Sequence, residues 1–508
     1  MTTEKKKRIV SLIVAAVIYL GANVLFCFTL WLLSKYDDVN FDQILFQFKS
    51  STEGAHKSLI NSAAFRVGVL GCAFSVIGYL AYALLSGGMA PFVKKAKGYI
   101  RFSGSKFCKF MHKRLIPIVL VALVISCCIF VGELDVLAYV KTIATNSDFI
   151  EENYVDPNSV DLAFPEKKRN LVYIILESME TTYAEEEAGG PIKTDYIPEL
   201  RKLAEENVNF SHDNDLGGAF MYTGSSWTAG SLVAQTAGIV IKVPLTAEYY
   251  GGHNEFIEGV TSIGEILDRE GYEQVFVMGS DADFAGRRTY FEDHGNYNIL
   301  DTDNLKAEGR LPADYDEWWG YEDIKVFQYA KEEITRLAKE DKPFNLTLLT
   351  ADTHFPDGYL CPLCENEHDN QYANVVSCCS KQTYEFVSWI QSQDFYKDTT
   401  IVIVGDHLTM DPAFLDGMNP DYVRSTYSCI INPAAEAENT KNRQYSLMDM
   451  YPTTLAAMGV DIEGDKLALG VNLFSGEKTL TEIYGMEALD EELLKHSDYY
   501  NEYFLGMK

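Results

Sequence analysis

Acidic side chains and histidines follow three apolar segments that the sequence predicts to be strands. Glu177 follows one segment, Asp406 and His407 follow another, and His354 comes shortly after a third. Because the carboxyl ends of parallel strands meet at one edge of a sheet, we expect these side chains to converge. Each is unremarkable alone, but together they offer two carboxylates, one imidazole and a second histidine close by. This set of donors is typical of a divalent-metal site.

A threonine opens one of the predicted helices. Thr228 lies in Gly224-Ser-Ser-Trp-Thr-Ala-Gly230, just before a helical pattern that runs to Ala237. A threonine in this position is most often a helix cap or a first-turn residue. The alternative is a nucleophile, because the free N–H groups and dipole of a helix N-terminus stabilise an alkoxide and a bound phosphate. A threonine hydroxyl needs a base or a metal to activate it, and the acidic cluster could hold that metal.

Strand and helix patterns alternate through the second part of the chain. This alternation predicts an α/β fold with a doubly wound, mostly parallel sheet that is covered by helices on both faces. The predicted strands are Leu171–Leu176, Gln274–Met278, Phe344–Leu349, Thr400–Val404 and Thr426–Ile431. The predicted helices are Ile197–Glu206, Ser226–Ala237, Ser262–Glu270, Tyr321–Lys342, Gln382–Asp394 and Ser446–Met458.

The charge of the chain is divided between two regions of opposite sign. Residues 1–135 contain 16 Lys and Arg against 7 Asp and Glu, whereas the remaining 373 residues contain 27 against 66. The net charge of −30 disfavours a nucleic-acid partner, since phosphate backbones are bound by clustered basic residues. The basic region contains three long apolar stretches, which predict membrane spans at about 9–33, 67–86 and 115–132. The first is too long for a secretory signal peptide and two more follow it.

The basic residues that flank the spans predict their orientation. Four basic residues precede the first span, and eight, with no acidic residue among them, lie between the second and the third. Positive residues mark the cytoplasmic side, so everything after the third span is expected outside. We therefore predict a transmembrane region over 1–135, a stalk over 136–169 and an extracytoplasmic catalytic domain over 170–508. The expected location is a cytoplasmic membrane, and the family resemblance described below implies a bacterial one.

Four of the ten cysteines lie within 19 residues of the outer domain: Cys361, Cys364, Cys378 and Cys379. In an oxidising compartment such a cluster indicates one or two disulfides that hold a loop. A structural zinc knuckle is the alternative. Cys361-Pro-Leu-Cys364 has the right spacing for it, although the adjacent pair of cysteines is a poor second half for tetrahedral ligation.

Five short motifs occur in an order that resembles the membrane phosphoglycerol transferases of the sulfatase/alkaline phosphatase superfamily, the group that contains phosphoglycerol transferase I and lipoteichoic acid synthase. The resemblance covers roughly Phe41 to Phe474 and includes Asp42-Gln-Ile-Leu-Phe46. The motifs are Asn170-Leu-Val-Tyr-Ile-Ile-Leu-Glu-Ser178, Trp227-Thr-Ala-Gly230, Phe284-Ala-Gly-Arg287, Ala351-Asp-Thr-His-Phe-Pro-Asp-Gly358 and Gly405-Asp-His407.

The resemblance implies a metal-dependent transferase. It would move phosphoglycerol from phosphatidylglycerol to a hydroxyl of a periplasmic or cell-surface glycan through a covalent threonine intermediate. It implies that one Mn²⁺ or Mg²⁺, rather than Zn²⁺, is held by Glu177, Thr228, Asp406 and His407, with Thr228 as the nucleophile. Arg287 and His354 match positions that contact the phosphoglycerol group, and His354 is also expected to act in catalysis.

Departures from the family pattern narrow this expectation. Lipoteichoic acid synthases have a Trp where this chain has Ala285 and a His near Met278, so phosphoglycerol transferase I is the better match. Glycan decoration is therefore favoured over polymer synthesis. No cysteine lies in the C-x-P-x-R context from which sulfatases form formylglycine, and sulfatase chemistry is not expected.

Other activities remain open at this level. A phosphoethanolamine transferase would use the same threonine chemistry with zinc, but such enzymes usually have more membrane spans than three. A lipoteichoic-acid-type polyglycerolphosphate synthase and a plain phosphatase or phosphodiesterase are further enzymatic alternatives. A non-catalytic envelope binding or sensing module is the alternative from another class. Competent residues at all four candidate metal positions argue against this last hypothesis.

Overall fold

The computed structural model describes residues 3–36, 41–50, 57–86, 106–244, 256–411 and 421–507, together with 414, 418 and 419. Four of the basic residues used to predict the orientation, Lys94, Lys95, Lys97 and Arg101, lie outside these described residues. The chain forms two compact units. The first contains residues 1–41 and 56–138, and the second contains residues 42–55 and 139–508.

The first unit contains long apolar helices. Its described helices are Thr3–Leu33, Lys57–Ala63, a π-helical segment Ala64–Val69, Leu70–Leu85 and Lys106–Glu133. Three stretches, Ile9–Leu33, Leu59–Leu85 and Lys113–Glu133, are long and apolar enough to cross a membrane. The second stretch begins before the expected residue 67 and so includes the charged residue Arg66. Arg66 Nη1 donates a 2.8 Å hydrogen bond to Ser34 Oγ, which gives the guanidinium a polar partner. Asn23 Nδ2 similarly donates to Ser75 Oγ at 3.0 Å, so polar groups also link helices within this unit.

A six-stranded sheet forms the centre of the second unit, with strand order β4-β3-β5-β2-β6-β7. All neighbouring strands are parallel except β6 and β7, which are antiparallel. The predicted α/β fold with a mostly parallel sheet is confirmed. The strands are β1 Leu162–Ala163, β2 Asn170–Leu176, β3 Glu273–Met278, β4 Asn298–Leu300, β5 Phe344–Leu349, β6 Thr399–Gly405, β7 Ser428–Ile431, β8 Asp461–Ile462, β9 Lys466–Leu467 and β10 Gly470–Val471.

Helices cover both faces of this sheet. One face packs against helices Pro198–Glu206, Asp323–Leu337 and Gln371–Gln391 in a single apolar core. On the opposite face, Tyr173 Oη donates to Gln235 Oε1 in helix Thr228–Ala237, and Phe276 stacks on Phe291. The central strands are buried on both sides, which explains their continuous apolar sequence. The other described α-helices of this unit are Phe149–Asn153, Ile263–Arg269, Arg287–Asp293, Thr302–Ala307, Met450–Ala457, Leu480–Tyr484 and Met486–Leu494.

The structure differs from the sequence patterns at several boundaries. The edge strand β4 was not predicted, because three residues are too short for a periodic signal. Helix Gln371–Gln391 begins eleven residues before the predicted Gln382, since Asn370 caps its first turn by accepting from Ala373 N. The predicted strand Thr426–Ile431 starts only at Ser428. Boundary shifts of this kind follow from local capping and pairing, which periodicity does not report.

Residues 136–169, expected to be a stalk, have their own secondary structure. They contain helices Val136–Ile143 and Phe149–Asn153, and strand β1 pairs with β8 in an antiparallel ladder. Residues from Tyr139 onward belong to the second unit. Pairing with a strand near residue 461 could not be read from local composition, because the partner is about 300 residues away in sequence.

Gly405, the last residue of β6, precedes Asp406 and packs closely against the backbone of the turn after β2. We predict that a side chain at this position would destabilise the fold. A Cβ atom at Gly405 would lie 1.7 Å from Met179 O, a backbone atom that cannot move independently. We expect Gly405→Ala to lower the free energy of unfolding by about 3 kcal/mol, the upper part of the usual cost of overpacking. Denaturant unfolding followed by tryptophan fluorescence measures this change.

Gly309→Ala is the control, because a Cβ there meets nothing within 4 Å and only the positive φ of +72° costs energy. Equal destabilisation by the two substitutions would contradict the prediction.

Candidate active site

The ends of two neighbouring strands place the acidic residues together. β2 and β6 are paired in register, with Leu176 opposite Gly405, so Glu177 and Asp406 leave the sheet side by side. The backbone N–H groups of Ser178 and His407 both donate to Asp406 Oδ1 at 2.7 Å. Ser178 adopts a left-handed conformation with φ of +52°, which is rare for a residue with a side chain. The turn after β2 is therefore held in a specific shape around the Asp406 carboxylate.

Glu177, Asp406 and His407 form a buried cluster. Their exposed fractions are 2%, 0% and 2%. His407 Nε2 lies 3.4 Å from Glu177 Oε1 and 3.5 Å from Asp406 Oδ2. One ligand atom from each of the three residues lies within 4.8 Å of the other two. The structure therefore brings together the three strand-end residues that the sequence singled out.

Thr228 completes the cluster from the opposite side. It is the first residue of helix Thr228–Ala237, and neither it nor the N-cap residue Trp227 makes a side-chain cap hydrogen bond. Its Oγ1 lies 3.4 Å from both Glu177 Oε2 and His407 Nε2. The preceding loop turns at Gly224, whose φ of +87° favours glycine. The hydroxyl of this half-buried threonine thus faces the acidic cluster rather than its own helix.

A backbone hydrogen bond orients the His407 ring. His407 Nδ1 lies 2.9 Å from the Leu408 carbonyl oxygen, an acceptor, so Nδ1 carries the proton in that contact. The other ring nitrogen, Nε2, is directed at Glu177, Asp406 and Thr228. A neutral imidazole held in this tautomer presents a lone pair at Nε2, as metal-binding histidines do.

Burial and mutual repulsion shift the protonation of the cluster. Burial and the neighbouring Glu177 carboxylate raise the pKa of Asp406 to about 8. Burial would also raise the pKa of Glu177, but electrostatic interactions with His407 and His354 lower it to about 2. Burial would lower the pKa of His407, but Asp406 and Glu177 raise it to about 10. The protein alone therefore neutralises this negative charge with protons, which a divalent cation would replace.

The residues present fit such a cation. Asp406 Oδ2 is buried and accepts no hydrogen bond among the described residues, and its nearby cationic group is His407 Nε2 at 3.5 Å. A buried carboxylate oxygen that accepts no hydrogen bond is available as a ligand for a metal ion. Two carboxylates, one hydroxyl and one imidazole are ligands that Mn²⁺, Mg²⁺ and Zn²⁺ all accept.

Arg287 and His354 border the cluster. Arg287 is 7% exposed; its Nε donates to Phe284 O and its Nη2 donates to Asp281 O, both at 2.9 Å. Burial lowers the pKa of Arg287 to about 10, while Asp281 and Glu177 act against this shift. Burial also lowers the pKa of His354, which interacts electrostatically with Glu177, His407 and Arg287. Both predicted substrate residues thus interact electrostatically with the predicted metal ligands.

Aromatic residues that sequence reasoning gave no specific role also surround the site. The ring of Trp319 lies 4.6 Å from that of His354 and 5.7 Å from that of Phe284. Phe46, only 1% exposed, lies 5.5 Å from the ring of Trp227, the residue before Thr228. The segment that contains Phe46 was noticed only as part of the family resemblance. Its contact with Trp227 spans 181 positions and leaves no local signal.

Residues 42–55 join this unit although they lie between two apolar spans in the sequence. Residues 42–49 belong to helix Phe41–Lys49. On this helix, Gln43 Nε2 lies 3.8 Å from Met410 Sδ. Lys49 Nζ donates to Pro244 O at 2.8 Å. The helix therefore contacts segments that follow both the Thr228 helix and the Asp406-His407 turn.

Comparison with known proteins supports these assignments at the level of the family. The sequence profile of the sulfatase family matches residues 169–460, more than half of the chain. The chain is 30% identical over 337 residues to phosphoglycerol transferase I of Escherichia coli (strain SMS-3-5 / SECEC). The matched region covers 65% of this chain and 42% of that protein. Its counterpart from Salmonella choleraesuis (strain SC-B67) is 30% identical over 326 residues, with coverages of 63% and 41%. The chain thus spans less than half the length of these curated relatives.

Solved structures with a similar fold include the lipoteichoic acid synthase LtaP from Listeria monocytogenes, at 16% identity and a TM-score of 0.47, covering 64% of this chain and 80% of that one. The integral membrane phosphoethanolamine transferase EptA from Neisseria meningitidis is 13% identical with a TM-score of 0.49, covering 88% and 83%. The resemblance noted in the sequence is confirmed by the family match and the phosphoglycerol transferase relatives. The chain belongs to the sulfatase family.

Proposed function

We propose that this protein is a membrane-bound transferase that moves phosphoglycerol from phosphatidylglycerol to a hydroxyl of an envelope glycan. The observation that carries the proposal is the position of Thr228 Oγ1, 3.4 Å from two members of the buried acidic cluster. A hydroxyl held at a helix N-terminus beside a metal site suits attack on a phosphodiester. The relatives named phosphoglycerol transferase I favour phosphoglycerol as the transferred group, and we propose phosphatidylglycerol as its lipid donor.

The proposed cofactor is one Mn²⁺ or Mg²⁺ held by Glu177, Asp406, His407 and Thr228. When bound, it would lower the pKa of the threonine hydroxyl and neutralise charge on the phosphodiester. The protein contributes the fixed geometry: Ser178 N and His407 N hold Asp406, and Leu408 O holds the His407 ring.

The proposed reaction has two displacement steps. Thr228 Oγ attacks the phosphorus of the lipid, and diacylglycerol leaves with a proton, so that a glycerophospho group remains on Thr228. A glycan hydroxyl then attacks the same phosphorus, loses its proton and releases Thr228. In this proposal the Arg287 guanidinium would stabilise the non-bridging oxygens during both steps.

His354 is the proposed proton carrier in this reaction. Its Nδ1 lies 2.7 Å from Phe355 O, so that nitrogen is the donor and Nε2 remains for substrate. Burial lowers its pKa, which favours the neutral form able to accept a proton from the incoming hydroxyl. In the first step the ring would pass the proton lost by Thr228 to the leaving diacylglycerol oxygen, and in the second step it would pass the proton of the glycan hydroxyl to the released Thr228.

The membrane spans serve this function by holding the enzyme at its lipid donor. Tethering both reactants to one surface raises their effective concentration without any new contact. We propose that the large unit lies outside a bacterial cytoplasmic membrane, where phosphatidylglycerol and envelope glycans meet. This orientation rests on the distribution of basic residues around the spans.

Incubation of the full-length protein with phosphatidylglycerol should give a glycerophospho adduct on Thr228, detected by peptide mass spectrometry. Thr228→Ala should form no adduct and lower transfer at least about 10³-fold, because the nucleophile is lost. Thr228→Ser keeps a hydroxyl and should retain an adduct. A parallel incubation with phosphatidylethanolamine tests the competing donor. Wild-type transfer by Thr228→Ala, or an adduct only from phosphatidylethanolamine, would contradict the proposal.

Removal of the metal should abolish transfer, and Mn²⁺ or Mg²⁺ should restore it. Asp406→Asn should lower Mn²⁺ affinity more than about 10-fold, since it removes the charge of a ligand whose Oδ2 accepts no hydrogen bond among the described residues. Titration of Mn²⁺ followed by electron paramagnetic resonance measures this affinity. Glu463→Gln, a change at an exposed carboxylate, is the control. Unchanged Mn²⁺ binding by Asp406→Asn would show that the metal lies elsewhere.

The contact between Phe46 and Trp227 is predicted to position the nucleophile. Phe46→Ala should lower kcat about tenfold or more, because small displacements of a reacting group are costly. Phe48→Ala, in the same helix but at a side chain that is 72% exposed, should stay near the wild-type rate. Steady-state kinetics with phosphatidylglycerol compares the two variants. Equal kcat values for the two variants would contradict a role of the Phe46–Trp227 contact in positioning Thr228.

A further inference from the structure

Three cysteines, none of them among the four predicted catalytic-metal ligands, converge in the second unit. Cys361 Sγ lies 3.6 Å from Cys364 Sγ and 3.6 Å from Cys378 Sγ, and all three sulfurs lie within 4.8 Å of one another. Cys361 and Cys378 are buried and Cys364 is partly buried, and all three are free thiols. We infer that Cys361, Cys364 and Cys378 form a second metal site, which binds a thiophilic ion of the Zn²⁺ type.

The distances suit tetrahedral ligation. Zn–S bonds of ~2.3 Å separate the sulfurs of a tetrahedral site by about 3.8 Å. The two shortest separations observed, both 3.6 Å, are close to this edge length. The odd number of thiols also fits a metal better than a disulfide, because any pairing within the cluster leaves one thiol over.

The local backbone has the form of a zinc knuckle. Cys361-Pro-Leu-Cys364 provides the C-x₂-C spacing of such a knuckle. Cys364 N donates to Cys361 O at 3.0 Å, which closes the turn between the two cysteines. The two sulfurs of the knuckle are therefore presented on the same side.

Helix Gln371–Gln391 provides the third sulfur and an amide. Cys378 lies on this helix, and Gln382, one turn later, places Nε2 3.3 Å from Cys378 Sγ and 3.8 Å from Cys361 Sγ. The amide oxygen of Gln382 or a water molecule would complete four-coordination. Cys379 belongs instead to the apolar core on one face of the sheet. The adjacent Cys378 and Cys379 thus divide between the cluster and the core.

The position of the cluster gives the metal a structural task. The connection from β5 to helix Gln371–Gln391 is about 20 residues long, has no regular helix or strand and contains His354. Loops of this length usually need something to hold them or have a function of their own. A metal shared by Cys361, Cys364 and Cys378 would fix this connection to the helix a few residues after His354.

The full-length protein, purified without chelator and loaded with Zn²⁺, should contain one more equivalent of zinc than Cys361→Ser/Cys364→Ser, measured by mass spectrometry of the metal. Cys379→Ala is the matched control, because it removes a neighbouring buried thiol outside the cluster and should keep the zinc. Equal zinc in wild type and the double variant would overturn the inference.

A measurement on the wild type keeps the test independent of folding of the variants. Co²⁺ loaded into the wild-type protein should give intense thiolate-to-cobalt absorption, which the oxygen-rich catalytic site does not produce. Alkylation under denaturing, non-reducing conditions with chelator should label all three cysteines. A disulfide among Cys361, Cys364 and Cys378, or the absence of thiolate absorption, would contradict the metal site.

Discussion

The structure depends on the parallel pairing of β2 and β6, which brings two buried carboxylates to adjacent strand ends. Glu177 and Asp406 repel each other and have little contact with water. Two sets of contacts lower the free-energy cost of burying these carboxylates. Asp406 Oδ1 accepts hydrogen bonds from two backbone N–H groups, and His407 lies between the two carboxylates. Among the described residues Asp406 Oδ2 accepts no hydrogen bond, so the cluster offers a free oxygen ligand to a cation.

The remaining elements support that cluster from different directions. Helix Thr228–Ala237 presents its first hydroxyl to the carboxylates, and the connection after β5 presents His354. Close backbone packing, as at Gly405 against Met179 O, keeps the strand end in place. The outer elements do not create the site chemistry. They fix the geometry that our proposed threonine nucleophile would need.

Two different classes of metal chemistry occur within one unit in our proposals. The strand-end cluster offers oxygen and imidazole ligands, which suit a hard or borderline ion in catalysis. The cysteine cluster offers soft thiolates, which suit a structural ion. The β5 connection runs between them, since His354 lies near one and Cys361 in the other. Separate ligand types would allow both sites to be filled without exchange of metals.

The sequence by itself determined the fold class, the apolar spans and the residues of the acidic cluster, because each has a local signal. Long apolar runs, alternating strand and helix patterns, and polar residues directly after strands are all readable over short windows. Parallel strand topology then required Glu177 and Asp406 to lie at the same edge of the sheet.

Only the tertiary structure decided which distant side chains touch. It placed Phe46 against Trp227, paired β1 with β8, and separated Cys378 from Cys379. It also showed that the Thr228 hydroxyl faces the acidic cluster. These outcomes depend on packing between segments far apart in the chain, where pattern and spacing carry no information.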